Sequence, residues 1–191
     1  MQNQIQFQAL QDQHDTEGFT CGVDALDPWL KRIPRQHISK GVSRTFVAVD
    51  SANTTTRVPI LGYYSLTVAE IDTDKLPKDV AKKLRRRVPL VLIGRLANSL
   101  AARGQGIGAL LLTDALRRIV EVSNNVGVTL ILVDAKDEAA ANFYRHFGFI
   151  SLPDTPHRLA LTVATAQRVF VYRCCLPTIY CASTRASSSS S

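Results

Sequence analysis

Arg103-Gly104-Gln105-Gly106-Ile107-Gly108 is the stretch on which the reading of this 191-residue chain turns. It lies between an apolar run, Val88 to Leu96, and an apolar-periodic segment, Ala109 to Val122. A strand that passes through three glycines into a helix sets several free backbone N–H groups at a helix N-terminus. Those donors and the helix dipole together favour phosphate. Glycine suits the turn because it tolerates unusual backbone angles and lets a ligand approach the main chain. The Gly-Lys-Ser/Thr ending of a Walker loop is missing, since Ala109 and Leu110 follow Gly108. The glycines run G-x-G-x-G and no early βαβ unit precedes them, so a dinucleotide fingerprint does not fit either. Taken alone, the six residues also suit a helix start that binds nothing.

Composition sets the frame. Hydrophobic residues make up 46% and charged residues 20%, an ordinary globular balance at a length that suits one domain. There is no continuous apolar run of about 18 residues, so no membrane span is expected. Met1-Gln2-Asn3-Gln4 lacks the basic and apolar regions of a signal peptide, which makes the cytoplasm the expected compartment. The four cysteines have no metal-ligand spacing, so neither a metal site nor a disulfide framework is expected. Cys21 has no histidine partner that would make it a nucleophile.

The net charge of +7 is clustered. Lys31, Arg32, Arg35, Lys40 and Arg44 share a segment without acids, and Lys78, Lys82, Lys83, Arg85, Arg86 and Arg87 are opposed only by Asp79. A solvated face explains either cluster, and so does a polyanionic partner such as RNA.

Along the chain, Ile5 to Leu10 alternates like a first strand. Asp24 or Asp27 caps a helix with Pro28 in its first turn and Trp29, Leu30 and Ile33 inside; a second helical piece spans Arg35 to Lys40 and ends at Gly41. Thr45–Val49 and Ile60–Val68 form a hairpin, and Pro77 to Arg87 is a basic helix or loop. After the glycine loop, a helix buries Leu111, Leu112, Ala115, Leu116 and Ile119 and exposes Asp114, Arg117, Arg118 and Glu121. Val128–Val133 reads as a strand buried on both faces. Asp137 caps a short helix, Glu138 to His146, that stops at Gly148. Phe149–Leu152 and Ala160–Val163 are the last strands, and Thr165–Phe170 is a short helix or strand. One domain over residues 1–170 is expected. The cysteine- and serine-rich tail, 171–191, is read as disordered or atypical.

The order strand, R-x-x-G-x-G helix, buried strand, then Asn142-Phe143-Tyr144-Arg145-His146-Phe147-Gly148-Phe149 resembles the GNAT acetyltransferase superfamily. The two motifs lie about 35 residues apart, room for one helix and one strand. The stretches Phe19 to Leu30, Gly41 to Val47 and Ile93 to Ala97 resemble GNAT toxins of type II toxin–antitoxin modules. The similarity covers about residues 5 to 170.

This resemblance implies an α/β (α+β) GNAT fold, with a central mixed, mostly antiparallel sheet flanked by helices. It implies a toxin that transfers the acetyl group of acetyl-CoA to the α-amine of aminoacyl-tRNA, blocking translation without a metal. It also implies a homodimer neutralised by a ribbon-helix-helix antitoxin, which alone contacts operator DNA. On this pattern Arg103, Gly104, Gln105, Gly106, Ile107 and Gly108 bind the pyrophosphate. Gln105 stands where many members carry a basic residue. Leu96, Ala97, Asn98 and Asn142 hold the pantetheine arm, and Tyr144 protonates the leaving thiolate. A thiol titrates near ~8.5 and a phenol near ~10, so the phenol can donate at neutral pH.

No general base is evident; Glu70 is a candidate through water. The two basic clusters are candidate tRNA surfaces. Arg95, inside an apolar strand, is either outward-facing or a contact to tRNA or a second copy. Two other functions stay open: a GNAT enzyme acting on a protein or small amine, and a basic RNA-binding domain without catalysis.

Overall fold

The computed structural model describes residues 4–53, 55–82 and 84–173. Strand β1 (Ile5–Ala9) is followed by the short β2 (His14–Asp15), helix α1 (Asp27–Ser39), β3 (Arg44–Asp50), the short β4 (Val58–Pro59) and the long β5 (Gly62–Asp72). A 3-10 turn, Thr73–Lys75, and one helical turn, α2 (Lys78–Ala81), lead into β6 (Arg87–Asn98). A second 3-10 turn, Leu100–Ala102, precedes α3 (Ile107–Ser123), β7 (Leu130–Asp134), α4 (Glu138–His146), β8 (Ile150–Leu152), β9 (Thr155–Thr162) and α5 (Val163–Arg173).

Seven strands form one sheet in the order β1-β3-β5-β6-β7-β9-β8, while β2 and β4 pair apart from it. Within the seven, only β6 and β7 run parallel. A parallel pair needs a crossover, and α3 is that crossover. Its apolar stripe, Leu111, Leu112, Ala115, Leu116 and Ile119, is at most 2% exposed and packs on one sheet face with Tyr64, Ile93, Ile131 and Val133. Burial on this scale contributes about 1.5–3 kcal/mol per Leu or Ile. The other face is covered in two parts. Trp29 and Leu30 of α1 pack on Val47, Tyr63 and Ala97. Leu76 and its neighbours pack on Ile71, Leu90, Leu130 and Leu132.

Two expectations from the periodicity need correction. Asp114 is buried, at 6% exposure. It accepts hydrogen bonds from the Tyr64 hydroxyl at 2.5 Å, Arg117 Nη2 at 2.7 Å and Arg118 Nε at 2.8 Å. The carboxylate is affordable there because it is paired on three sides, a situation that a helical wheel does not reveal. Arg118 is half-buried and lies over the Phe46 ring at 4.2 Å, so of the supposed polar face Arg117 and Glu121 are the exposed members. In addition, α1 is one helix rather than two pieces. Pro34 sits inside it without the N–H that would bond Leu30, and the buried Trp29–Leu30 face holds the helix across the gap. Helix α1 closes before Gly41, with the Val42 N–H donating to the His37 carbonyl at 2.9 Å.

Helix α5 runs past residue 170 to Arg173. The expected tail from 174 onward, Lys83, and the side chains of Ile33 and Arg35 lie outside what is described. No helix of the described residues is long and apolar enough to cross a membrane.

Candidate active site

The sheet parts at its centre. Strands β6 and β7 pair from Leu90↔Leu130 to Ile93↔Val133, where the ladder ends. Beyond it β6 continues five residues, to Asn98, while β7 adds only Asp134. The cause is on the opposite edge of β6. Ser65 pairs with Arg95 and Leu66 with Ile93, leaving Gly94 as an extra residue. Such a bulge raises the local twist and turns the strand away from its neighbour. The notch so formed is a cavity of about 270 Å³, walled by Gly94 to Asn98 on one side and by Asp134, Ala135 and Tyr144 on the other. From Gly94 to Asn98, β6 therefore has an edge that no strand of the described residues covers.

Gly62 keeps this edge in place. A Cβ there would lie 2.9 Å from the Ala97 carbonyl oxygen and 2.7 Å from Leu111 Cδ1. Only glycine lets β5, β6 and α3 approach so closely.

The glycine loop begins where β6 ends. Ser99 caps the 3-10 turn by accepting from the Ala101 N–H, and the Leu100 N–H bonds the Thr20 carbonyl at 2.9 Å. Gly104 and Gly106 take left-handed angles, φ 76° and 74°, and a Cβ on either would meet nothing within 4 Å. Conformation, not crowding, demands glycine there, and the loop is open on that side. Gly106 is the N-cap of α3. The amides of Ile107 and Gly108 point out of the first turn without a helical acceptor. Arg103 Nη2 donates to the Cys21 carbonyl at 3.1 Å, so this cation is anchored at the cavity wall. The Gln105 amide instead turns back to Ala101 O at 3.1 Å.

Asp137 caps α4 by accepting from the Ala140 N–H at 2.8 Å, and α4 presents Tyr144 to the cavity. Tyr144 is 7% exposed and packs edge-on against Phe143 and Phe149. Among the described residues, nothing hydrogen-bonds its hydroxyl. Burial, followed by the nearby Asp134 charge, pushes its pKa up to about 12. Phe143, Phe147 and Phe149 pack around it in the core. Asn142 lies on the exposed side of α4, accepts from Arg145 Nη1 at 2.8 Å and is not part of the cavity wall.

Asp134 is held by Arg158 in two hydrogen bonds, 2.6 and 3.0 Å. Glu70 pairs with Pro89 lower in the sheet and is not in the cavity wall. Cys21 lines the cavity, but burial, reinforced by Asp27, pushes its thiol up to about 11, the opposite of an activated nucleophile. No cluster of three metal-ligating side chains occurs among the described residues.

The basic clusters lie apart. Lys31, Arg32 and Lys40 are on or just after α1, and Ala25 and Leu26, just before that helix, line the cavity; Arg44 begins β3. Arg85, Arg86 and Arg87 sit at the other end of the β5–β6 ladder, about 20 Å along β6 from Ile93. There Arg87 meets Asp72 at 3.4 Å and Lys82 meets Asp79 at 3.6 Å. Arg95 is not an outward-facing strand residue: its guanidinium lies 4.5 Å over the Trp29 ring and it lines the cavity. The bulge at Gly94 and the wall formed by Cys21 to Leu26 went unread in the sequence. A glycine inside an apolar run was the available signal for the bulge.

Residues 43–151 match the acetyltransferase (GNAT) domain family. The tRNA-acetylating toxin of Mycobacterium tuberculosis (strain ATCC 25618 / H37Rv) is 30% identical over 158 residues, spanning 83% of this chain and 92% of that protein. The solved structure of AtaT complexed with acetyl-methionyl-tRNAfMet superposes with a TM-score of 0.79 at 28% identity, covering 87% of this chain and 99% of that one. A tyrosine-to-phenylalanine mutant of AtaT bound to the C-terminus of the antitoxin AtaR and acetyl-CoA gives a TM-score of 0.73 at 28% identity, covering 87% and 98%. The chain belongs to the GNAT acetyltransferase family, and its fold is the mixed, mostly antiparallel sheet flanked by helices that the sequence led us to expect.

Proposed function

We propose that this GNAT acetyltransferase is a toxin that acetylates the α-amine of aminoacyl-tRNA with acetyl-CoA and so blocks translation. The observation that carries the chemistry is the parted sheet: an uncovered edge, a glycine loop at one end and an unpartnered phenol across the gap. The choice of acceptor rests on the likeness to tRNA-acetylating relatives.

In this reading the amides of the Arg103–Gly108 loop bind the CoA pyrophosphate, with Arg103 adding charge. The pantetheine arm lies along Leu96, Ala97 and Asn98 as a short extra strand. The α-amine attacks the thioester carbonyl. The tetrahedral intermediate collapses with cleavage of the C–S bond, Tyr144 gives its proton to the sulfur, and the amine sheds its proton to solvent. An α-amine titrates near ~7.7–8.0, so a useful fraction is neutral without a dedicated base. Asn142 would have to release Arg145 and turn inward to reach the arm.

Backbone phosphates of the acceptor stem engage two basic surfaces, Lys31, Arg32, Lys40 and Arg44 on the α1 side and Lys82, Arg85, Arg86 and Arg87 at the far end of β6. The protein acts in the cytoplasm as a homodimer, and a ribbon-helix-helix antitoxin neutralises it.

The test is incubation with radiolabelled acetyl-CoA and total charged tRNA, beside deacylated tRNA and protein controls. Label on charged tRNA alone, absent with Tyr144→Phe, is the expected result. Label on protein, or on nothing, rejects the proposal.

A further inference from the structure

We propose that Arg95 is the residue that seats the last phosphodiester of the charged tRNA 3′ end, and thereby positions the α-amine opposite Tyr144. This inference rests on the function proposed above. Three observations carry it.

First, Arg95 is a cation with a fixed seat and, among the described residues, no anionic partner. Its guanidinium lies 4.5 Å over the Trp29 ring. Trp29 stacks in turn on Tyr63 with ring centroids 5.7 Å apart and 12° between planes, and the Tyr63 hydroxyl donates to the Leu26 carbonyl at 3.0 Å. Among the described residues, neither a carboxylate nor a carbonyl accepts from the guanidinium. Asp134, the acid in the same cavity wall, is committed to Arg158. An arginine held by an aromatic face and left without a partner keeps its planar fork of donors for a ligand.

Second, Arg95 enters on the side of the sheet away from α3. It follows the Gly94 bulge, shares its face with Ala97 and Trp29, and ends a row of polar residues, Thr45–Ser65–Arg95, across three strands. The glycine loop opens α3 on the other face. The acyl donor and Arg95 therefore approach the notch from opposite faces, and Arg95 faces the acceptor.

Third, the acceptor has one anionic group close to its reactive amine. The aminoacyl ester sits on the terminal ribose, and the nearest charge is the phosphodiester joining the last two nucleotides. Arginine matches a phosphate bidentately, and a phosphate contact positions without reading a base.

The experiment uses a charged acceptor minihelix in two forms, one natural and one with a neutral methylphosphonate at the last linkage. Kinetics are read for the wild-type protein, Arg95→Gln and Arg95→Lys, with acetyl-CoA affinity measured for each. The wild type is expected to lose at least ten-fold in kcat/KM on the methylphosphonate form, through KM rather than kcat. Arg95→Gln should lose about as much on the natural form and be indifferent to the change of linkage, with acetyl-CoA affinity unchanged. Arg95→Lys should recover part of the loss, as a point charge in place of a fork. The salt dependence of binding should fall by about one phosphate contact in Arg95→Gln. A wild-type protein indifferent to the methylphosphonate overturns the proposal without any variant having to fold. So does an Arg95→Gln protein that still discriminates between the linkages. If the wild type acetylates no charged RNA at all, the function proposed above fails, and this inference falls with it.

Discussion

Tyr144 and Asp134 face the same cavity, and only the carboxylate has a partner. Asp134 adds its charge to the effect of burial, so the phenol stays protonated far above neutrality. A neutral, unpartnered hydroxyl beside an open strand edge is a proton donor waiting for an acceptor. Tyr144→Phe removes that proton and little else. Turnover should fall by about 10²–10⁴-fold, the usual weight of one acid catalyst. Acetyl-CoA affinity, measured by calorimetry, should hold; its loss would make Tyr144 a packing residue instead.

The pH profile follows from the same pair. The alkaline limb set by Tyr144 lies near its raised pKa of about 12. Over pH 6–9, kcat/KM should therefore only rise, flattening once the acceptor amine is neutral, near ~8. Because the folded pKa lies above the free value, Tyr144 contributes stability that is complete below about pH 10 and is lost as pH rises through its folded value. Asp134→Asn removes the smaller of the two causes, so the phenol should titrate lower but still above a free tyrosine in an ultraviolet titration. An unshifted curve would show that Asp134 does not reach it.

Gly106→Glu should abolish acetyl-CoA binding. The position has φ 74°, which side-chain-bearing residues resist, and a carboxylate there repels pyrophosphate. Full affinity in that variant would remove the glycine loop from the cofactor site.

Gly62→Ala tests the notch from behind. The added methyl collides with the Ala97 carbonyl and the Leu111 side chain. Overpacking of this kind costs about 1–3 kcal/mol. The strain should appear twice, as a lower Tm and as weaker acetyl-CoA binding, because Ala97 lies in the stretch of β6 that borders the gap. A drop in Tm alone would separate the edge from the ligand.

Asp114→Ala should destabilise the protein by about 3 kcal/mol in denaturant unfolding, since it strands a buried tyrosine hydroxyl and frees two arginines. Asp114→Asn should recover part of the loss. A change below about 0.5 kcal/mol would mean that the cluster adds nothing to the core.

Much of this architecture was legible as periodicity and punctuation. The alternation of Ile5 to Leu10, the stripe from Leu111 to Ile119 and the Asp137 cap all stand where the pattern put them. The order of the glycine loop and the Asn142–Phe149 segment implied the family, because one helix and one strand fit between them. What escaped was set by partners remote in sequence. Asp114 reads as a surface acid until Tyr64, 50 residues away, donates to it. Arg95 reads as either an outward strand residue or a contact to tRNA or a second copy until Trp29 is found beneath it. The bulge at Gly94 needed the register of two strands to be seen at all. The placement of Leu96 to Asn98 on the open edge follows the expected pattern, whereas Asn142 points away from the gap.

The early end of the β6–β7 ladder at Ile93 and Val133 has one more consequence. For a few residues the sheet is one chain short, and on the function proposed above the pantetheine arm would complete the main-chain hydrogen-bond network there as a temporary segment of the fold. The backbone amides on the uncovered edge of β6 should then exchange with solvent readily in the free protein and slowly with acetyl-CoA bound. On that reading the cosubstrate would be a piece of secondary structure that the enzyme borrows and returns once per turnover.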